Sequence, residues 1–243
     1  MLFCYGKGNS AMKIICLGDS LTSGNVGYSY IPFLGKEIQA VNQGRDGDTV
    51  RGVYGRLKKM FDNPQYNAVY ILGIGTNDIL LPYLRSLSPL WFLPMSLRCW
   101  IKKCTEEDTE FYQEYDRLLK CLCRENKKVI IFGLPFINLQ NFPQGRLIKR
   151  NGMIKELAEK YESPFIDIYQ LQKEQMDRDR RVYNWKYGFL FRVADAVIMT
   201  VLPFSKDWFA QIRGLKVSVD GVHFNSKSAK ILAKEIEKNI AAG

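Results

Sequence analysis

The chain of 243 residues contains 35 Lys and Arg against 25 Asp and Glu, and 47% of its residues are hydrophobic, so its formal net charge is +10. This length suits one sizeable domain with a buried core, and the hydrophobic share excludes an intrinsically disordered chain. Six cysteines without paired CxxC units, together with a single histidine, exclude a zinc-finger-type site and a small disulfide framework. We therefore expect reduced thiols, no bound metal and a cytoplasmic location.

Residues 1–11 have the character of a leader or tag, and residues 12–243 are predicted to form one domain. The longest apolar run, 189–204, carries Arg192 and Asp195. At this length and with two charges it does not fit a bilayer-spanning helix, which needs about 20 apolar residues. The sequence shows neither internal repeats nor a low-complexity linker, which favours a single domain.

Short β-branched runs alternate with longer amphipathic stretches along the chain. The predicted strands are 13–17, 40–42, 68–73, 128–132 and 165–168. The predicted helices lie near 28–39, 48–62, 106–126, 146–161 and 226–241. This alternation predicts an α/β fold in which helices cover both faces of a parallel sheet. Ligands of such sheets bind beyond the carboxyl ends of the strands, so the loops that follow strands are where chemistry is expected.

Four loops concentrate the polar and glycine residues, at 18–24, 42–49, 75–78 and 220–225. Ser20 follows the first strand, and His223 lies three residues after Asp220, just before the last helix. A serine hydroxyl becomes a useful nucleophile when a base takes its proton and a carboxylate holds that base in the right tautomer. The Asp220–His223 spacing lets the carboxylate reach one ring nitrogen while the other faces a serine. We predict Ser20, Asp220 and His223 as catalytic residues.

Acyl transfer also requires donors for the negative charge that develops on the carbonyl oxygen. Backbone N–H groups at Ser20 and Gly44, with the side-chain amide of Asn77, are the candidates for this oxyanion hole. Each feature has a simpler structural explanation when taken alone, because serine caps helices and Asn-Asp and Asp-Gly form turns. Their joint occurrence on predicted strand-end loops favours catalysis.

The four loops resemble the conserved blocks of the SGNH-hydrolase family, also called GDSL esterases and lipases. Its GDSL, NxGxxGxT, GxND and DGxHFN patterns are all matched, and the resemblance spans residues 13–241. The resemblance implies a three-layer α/β/α, flavodoxin-like fold with about five parallel strands. It also implies an acyl-enzyme mechanism without metal or cofactor, in which Asp220 orients His223 and an oxyanion hole is formed by Ser20, Gly44 and Asn77.

Two other protein classes are weighed against this interpretation. The α/β-hydrolase class is excluded, because the chain has no GxSxG motif and the acid lies three residues before the histidine rather than far upstream. Residues 20–25 loosely resemble the phosphate loop of flavodoxins, which share the sheet architecture. A flavin-binding protein, however, would leave Asn77 and the Asp220–His223 pair without a role.

Two segments, 82–104 and 178–216, are predicted insertions beyond the conserved blocks, and they hold +9 of the chain's +10 net charge. They contain all four tryptophans and a basic cluster, which are the candidates for substrate binding: Trp91, Trp100, Trp185, Trp208, Arg178, Arg180 and Arg181. Basic and aromatic residues in strand-end segments suggest a recognition surface for a substrate with an apolar part and an anionic group. The alternative is that the aromatic residues form a satellite core or a dimer contact and that the charges are solvated.

The sequence therefore predicts a serine esterase or lipase that cleaves a small-molecule acyl ester, of the lysophospholipid type. A carbohydrate O-acetylesterase, which would use tryptophans as stacking platforms, is the second candidate. Transient docking on an anionic lipid surface is a related expectation. No nucleic-acid-binding motif is present, so no nucleic-acid partner is expected, and the oligomeric state is not predicted.

Overall fold

The computed structural model describes residues 12–61, 68–176, 182–185 and 188–242. The predicted leader at 1–11 and the basic cluster of Arg178, Arg180 and Arg181 lie outside these residues. Strands β1 (Met12–Gly18), β2 (Ile38–Gly44), β3 (Val69–Gly73), β4 (Val129–Phe132) and β5 (Phe165–Ile166) form one sheet. All neighbouring strands are parallel, and their order is β2-β1-β3-β4-β5. This is the strand order of flavodoxin-like folds.

The helices follow the strands in the alternation expected of a doubly wound sheet. In chain order they are α1 (Ser20–Ser23), α2 (Val50–Phe61), α3 (Asn77–Arg85), α4 (Pro89–Lys102), α5 (Asp108–Arg124), α6 (Gln144–Lys160), α7 (Ile168–Lys173), α8 (Phe189–Val201), α9 (Ser205–Ile212) and α10 (Ser226–Ala242). Among these helices, none combines the length and the apolar character that crossing a bilayer requires.

The core has two halves because successive strand side chains point to opposite faces of the sheet. In β1, Ile15 and Leu17 pack with residues of α2, α3, α5 and α6. Ile14 and Cys16 of the same strand pack on the other face with residues of α10. The predicted three-layer α/β/α fold with about five parallel strands is therefore confirmed.

The carboxyl ends of β1, β2 and β3 lie side by side, at the end of the sheet where the sequence predicts the catalytic loops. Gly18 at the end of β1 pairs with Gly44 of β2 and Gly73 of β3. A Cβ on Gly18 would lie 2.2 Å from Thr22 Oγ1 and 2.6 Å from the carbonyl oxygen of Gly73. Only glycine allows this close approach, which brings the loops after β1, β2 and β3 together.

One predicted helix is wrong and several were not predicted. The 28–39 stretch forms only a 3₁₀ turn at Ile31–Phe33, and β2 already begins at Ile38. Pro32 is compatible with the start of this turn. The Gly35 N–H then donates to Glu237 on α10 (2.6 Å), so a tertiary contact replaces helical bonding. The two predicted insertions contain helices α4, α8 and α9.

Candidate active site

Ser20 is the first residue of the short helix α1, at the carboxyl end of β1. Asp19 caps this helix, because its Oδ1 accepts a hydrogen bond from the Leu21 N–H (2.9 Å). Gly24 ends the helix in the left-handed conformation, φ +75°. The sequence thus turns from strand to helix within two residues, which leaves the Ser20 side chain half-buried at the sheet edge.

His223 and Asp220 lie beside Ser20, on the segment that precedes α10. His223 Nε2 is 3.1 Å from Ser20 Oγ, and His223 Nδ1 is 2.8 Å from Asp220 Oδ2. Asp220 Oδ1 also accepts the backbone N–H groups of Val222 (3.0 Å) and His223 (2.9 Å). The carboxylate is therefore fixed by its own loop. The structure brings the three predicted catalytic residues together in the order serine, imidazole, carboxylate.

The interaction between His223 and Asp220 shifts the pKa values of these two residues in opposite directions. Burial alone would lower the pKa of His223, but the charge and hydrogen bond of Asp220 outweigh it, with smaller contributions from Asp19 and Asp46. The pKa of His223 is therefore raised above its usual 6.5. For Asp220 the effects are reversed. Burial alone would raise the pKa of Asp220, but the neighbouring His223 holds this pKa well below its usual range. Asp220 stays ionised at neutral pH and orients the imidazole.

The predicted substrate-binding tryptophans fall into two groups. Trp91 and Trp185 are buried and stacked, with ring centroids 5.8 Å apart. The Trp185 indole N–H donates to the backbone oxygen of Asp220 (2.9 Å), and the Trp91 indole N–H donates to the backbone oxygen of Trp185 (3.0 Å). These two residues therefore tie both insertions to the loop that holds the histidine. Trp100 and Trp208 are exposed and lie outside the lining of the cavity at Ser20.

Asn77 is the first residue of α3, at the end of the loop that follows β3, and it is buried beside Ser20. Its amide nitrogen donates to Asp19 Oδ2 (3.2 Å) and to the backbone oxygen of Asp48 (2.9 Å). An amide nitrogen carries two hydrogens, so both are used within the protein in this state. Donation to a substrate oxygen requires that one of these bonds be shared or given up.

The structure places Gly47, and not the predicted Gly44, at the cavity. Gly44 ends β2, and its N–H donates to Asn42 Oδ1 (2.9 Å). A Cβ on Gly44 would lie 2.2 Å from the Ser23 backbone nitrogen, so glycine is needed there for α1 to approach β2. Gly47 has φ +69° and lines the cavity beside Ser20 and Asn77. Within NxGxxGxT, the second glycine rather than the first is positioned to face a substrate.

A cavity of about 720 Å³ opens onto Ser20, His223, Asp220, Asn77 and Gly47. Its walls are mainly apolar and come from α3, α4 and α8 and from the segments beside α1 and α8: Val26, Leu80, Leu81, Leu84, Trp91, Pro94, Met95, Leu97, Trp185, Phe189, Val193, Ala196, Val197 and Val201. Both predicted insertions therefore contribute walls to the candidate active site.

Several of the described basic residues of the insertions bond to other groups of the protein. Arg85 pairs with Glu106 (2.6 Å), and Arg213 pairs with Asp195 (2.5 Å). Lys206 is buried and donates to the backbone oxygens of Gly24 (2.8 Å) and Gly27 (2.6 Å). The side chains of Arg85, Arg213 and Lys206 are therefore engaged within the protein. In the described parts of the chain, no cluster of His, Cys, Asp and Glu suited to a metal ion is found.

The sequence model of the family described as GDSL-like Lipase/Acylhydrolase matches residues 14–236. The chain belongs to this family. Its members hydrolyse esters, and the chain is accordingly an ester-hydrolysing enzyme. The family match confirms the predicted hydrolase and esterase class. It does not support the flavin-binding alternative. A search of curated proteins found no match to the sequence.

Solved structures with the same fold include both lipases and acetyl esterases. A lipase/acylhydrolase from Enterococcus faecalis is 19% identical, with 95% of this chain and 96% of that chain covered and a TM-score of 0.59. An acetylxylan esterase from Geobacillus stearothermophilus is 20% identical, covers 95% and 94%, and has a TM-score of 0.61. A GDSL-like lipase from Bacteroides thetaiotaomicron is 14% identical, covers 99% and 92%, and has a TM-score of 0.61. At identities of 14–20%, these similarities establish a shared GDSL fold. They do not establish the substrate of this chain.

Proposed function

We propose that Ser20 is the nucleophile of this esterase, with His223 as its general base and Asp220 as the carboxylate that orients His223. Ser20 Oγ attacks the ester carbonyl carbon while His223 Nε2 takes the hydroxyl proton. The imidazolium then protonates the departing alcohol oxygen, which leaves an acyl group on Ser20. Water, deprotonated by the same nitrogen, releases the acid and restores the serine. The 3.1 Å and 2.8 Å contacts of His223 support these roles.

The oxyanion of the tetrahedral intermediate is proposed to bind the backbone N–H groups of Ser20 and Gly47 and the Asn77 amide. Gly47 takes the place that sequence reasoning gave to Gly44, because Gly47 lines the cavity and the Gly44 N–H is bonded to Asn42. Ser20 begins a helix, where the first N–H groups lack partners within the helix. Such donors stabilise charge that is present only after attack, so they act on kcat.

The apolar cavity of about 720 Å³ beside Ser20 is the observation that carries the substrate proposal. An acetyl group would leave most of this space empty, whereas a long acyl chain would fill it and leave water. Each buried methylene contributes about 0.8 kcal/mol to binding. We therefore assign the substrate as a long-chain acyl ester of the lysophospholipid type, with the acyl chain between α4 and α8.

Two arginines that line the cavity, Arg98 on α4 and Arg192 on α8, favour a substrate that carries an anionic group. Arg98 lies against Gly47, where a Cβ would approach its Nη2 to 2.8 Å. Arg192 also lines the cavity and is buried, and within the described residues its Nη1 has no hydrogen-bond partner. Arginine presents several donors in a fork that matches phosphate oxygens. These arginines support a phosphate group on the substrate.

A carbohydrate O-acetylesterase is the second candidate, because acetylxylan esterases are among the structures with this fold. Such an enzyme would stack sugars on exposed aromatic rings beside the serine. Of the four tryptophans, the two that line the cavity are buried, and the two exposed ones lie outside its lining. This arrangement favours the acyl-chain substrate over the sugar.

Acyl-chain preference tests the proposal directly. With p-nitrophenyl esters from acetyl to lauroyl, kcat/KM is expected to rise by at least about tenfold as the chain fills the cavity. Lysophosphatidylglycerol should be cleaved faster than acetylated xylan. Steady-state kinetics at substrate concentrations below the critical micelle concentration give the answer. A preference for the acetyl ester and for acetylated xylan would reject the long-chain substrate.

Cavity-filling variants on α8 provide the matched control. Ala196 lines the cavity, whereas Ala194, on the same helix, is exposed and does not. Ala196→Phe should lower kcat/KM for the lauroyl ester and leave the acetyl ester nearly unchanged. Ala194→Phe adds the same ring outside the cavity and should leave both rates unchanged. Equal effects of the two variants would show that the acyl chain does not occupy this cavity.

The pH dependence follows from the raised pKa of His223. The imidazole must be neutral to accept the Ser20 proton, so kcat/KM should fall as the pH drops, with an apparent pKa above 6.5. In Asp220→Asn the raising carboxylate is lost while burial remains, so the acidic limb should move to lower pH. A pH–rate profile of the two proteins measures this shift. An unchanged limb in Asp220→Asn would contradict the proposed role of Asp220.

A further inference from the structure

Helices α4 and α8 expose apolar side chains at helical spacing, on the side where a water-exposed helix normally carries polar residues. On α4 the stripe consists of Leu90, Leu93 and Leu97, and on α8 of Leu190, Val193 and Val197. All six are exposed, Leu93 at 74% and Leu190 at 76%. We call these two stripes the apolar rim. Contiguous exposed apolar surface of this kind marks a contact with another apolar phase or partner.

Half of the apolar rim also belongs to the lining of the catalytic cavity. Leu97, Val193 and Val197 are at once exposed and part of the cavity lining. The two helices meet where the Trp91 ring contacts the Phe189 ring edge-on, with centroids 4.9 Å apart. Through Leu97, Val193 and Val197 the rim therefore continues from the outer surface into the cavity next to Ser20, which these two helices also line with Arg98, Arg192 and Thr200.

The charge beside the rim is positive. From 89 to 103 the chain has Arg98, Lys102 and Lys103 and no acidic residue. On α8 the only charges are Arg192 and Asp195, which pair with each other. An apolar helix face flanked by Lys and Arg is the pattern of helices that lie in the interface of anionic lipids. A neutral or acidic rim would not select such a surface.

We propose that the apolar rim docks the enzyme on an anionic lipid surface, so that the substrate enters the cavity directly from the lipid. The proposal rests on the proposed function, because a long-chain ester resides in a lipid phase. A rigid protein partner bound across the rim would close the entrance that leads to Ser20. A lipid surface instead supplies the acyl chain through it, and the lysine stems at the end of α4 reach the charged head groups.

Vesicle co-sedimentation tests this docking. The protein should bind equimolar phosphatidylglycerol/phosphatidylcholine vesicles more tightly than pure phosphatidylcholine vesicles, and binding should weaken from 0.05 to 0.5 M salt. Leu93→Gln/Leu190→Gln removes two rim side chains that lie outside the cavity lining, and it should weaken the partition coefficient at least about tenfold. Ile148→Gln, at an exposed position on α6, is the matched control and should bind like the unchanged protein.

Activity on a monomeric ester separates this proposal from the proposed function. All three proteins should hydrolyse p-nitrophenyl butyrate equally, because neither rim position touches the cavity. If Leu93→Gln/Leu190→Gln binds the anionic vesicles as well as the unchanged protein, or if the unchanged protein does not bind them, docking is rejected even where long-chain esters are cleaved. If the protein instead self-associates in light scattering through these two leucines and ignores vesicles, the rim is a contact between copies and the proposal fails. Vesicle binding without long-chain esterase activity would reject the proposed substrate and leave the docking in place.

Discussion

Replacing Ser20 by Ala should lower kcat for ester hydrolysis by about 10⁴-fold or more, and His223→Ala should do the same. The double variant should be little worse than either single one, because the hydroxyl and the imidazole work as one unit and the second loss removes nothing further. The 3.1 Å contact between Ser20 Oγ and His223 Nε2 is the physical basis of this coupling. Steady-state kinetics on a p-nitrophenyl ester, with burst analysis of the acyl-enzyme, measure it.

A fluorophosphonate probe gives an independent readout of the same assignment. It should label the unchanged protein at Ser20 and fail to label Ser20→Ala. Ser163→Ala is the matched control, because this serine precedes β5 at the opposite edge of the sheet and donates to the Tyr161 oxygen. That variant should keep both its labelling and its rate. Retention of more than about a tenth of the rate in Ser20→Ala would show that another group attacks the ester.

The parts of the fold that depend on local pattern were predictable. Short β-branched runs predict all five strands to within about two residues at each end. The 28–39 stretch, by contrast, contains Pro32 and Gly35, which disfavour a helix interior. Its helix prediction is wrong because local propensity already opposes a continuous helix there, and the Gly35 N–H is bonded to Glu237 on α10.

The choice between Gly44 and Gly47 shows what spacing alone leaves undetermined. Both glycines stand in the same NxGxxGxT block. One is required because β2 and α1 nearly touch, and the other because the chain turns at positive φ beside the cavity. A sequence pattern records that glycine is needed at both places but not for which reason. The strand register and the cavity lining separate the two.

The composition of the two insertions distinguishes them from the conserved blocks. It does not show which of their tryptophans are buried and which are exposed. Trp91 and Trp185 face inward and stack, whereas Trp100 and Trp208 face outward. The side that each ring takes depends on helix orientations that single tryptophans do not encode. Arg85 and Arg213 have carboxylate partners on other elements. The roles of Trp100, Trp208 and the cluster at 178–181, like the cytoplasmic location and the single-domain organisation, stay predictions.

Asn77 has two tasks that its substitution must separate. Its amide nitrogen joins Asp19, which caps α1, to the backbone of Asp48, and the same side chain lines the cavity. Asn42 makes comparable structural contacts, donating to the backbone oxygens of Thr22 (3.2 Å) and Ser23 (3.3 Å), but does not line the cavity. Asn42→Ala is therefore the control for loosening the same helix without removing an oxyanion donor.

Asn77→Ala should lower kcat by roughly 10²–10³-fold, with a smaller change in KM, because the amide acts mainly on the charged intermediate. In the free enzyme this nitrogen is shared between Asp19 and Asp48, and catalytic hydrogen bonds commonly tighten only when the reacting group is present. An alkyl boronic acid, which forms a tetrahedral adduct on serine, should lose affinity in Asn77→Ala by a factor similar to the loss in kcat. Asn42→Ala should lower the melting temperature while keeping kcat and boronate affinity within about tenfold. If Asn77→Ala lowers only the melting temperature and binds the boronate normally, Asn77 is a structural residue, and the backbone N–H groups of Ser20 and Gly47 carry the oxyanion alone.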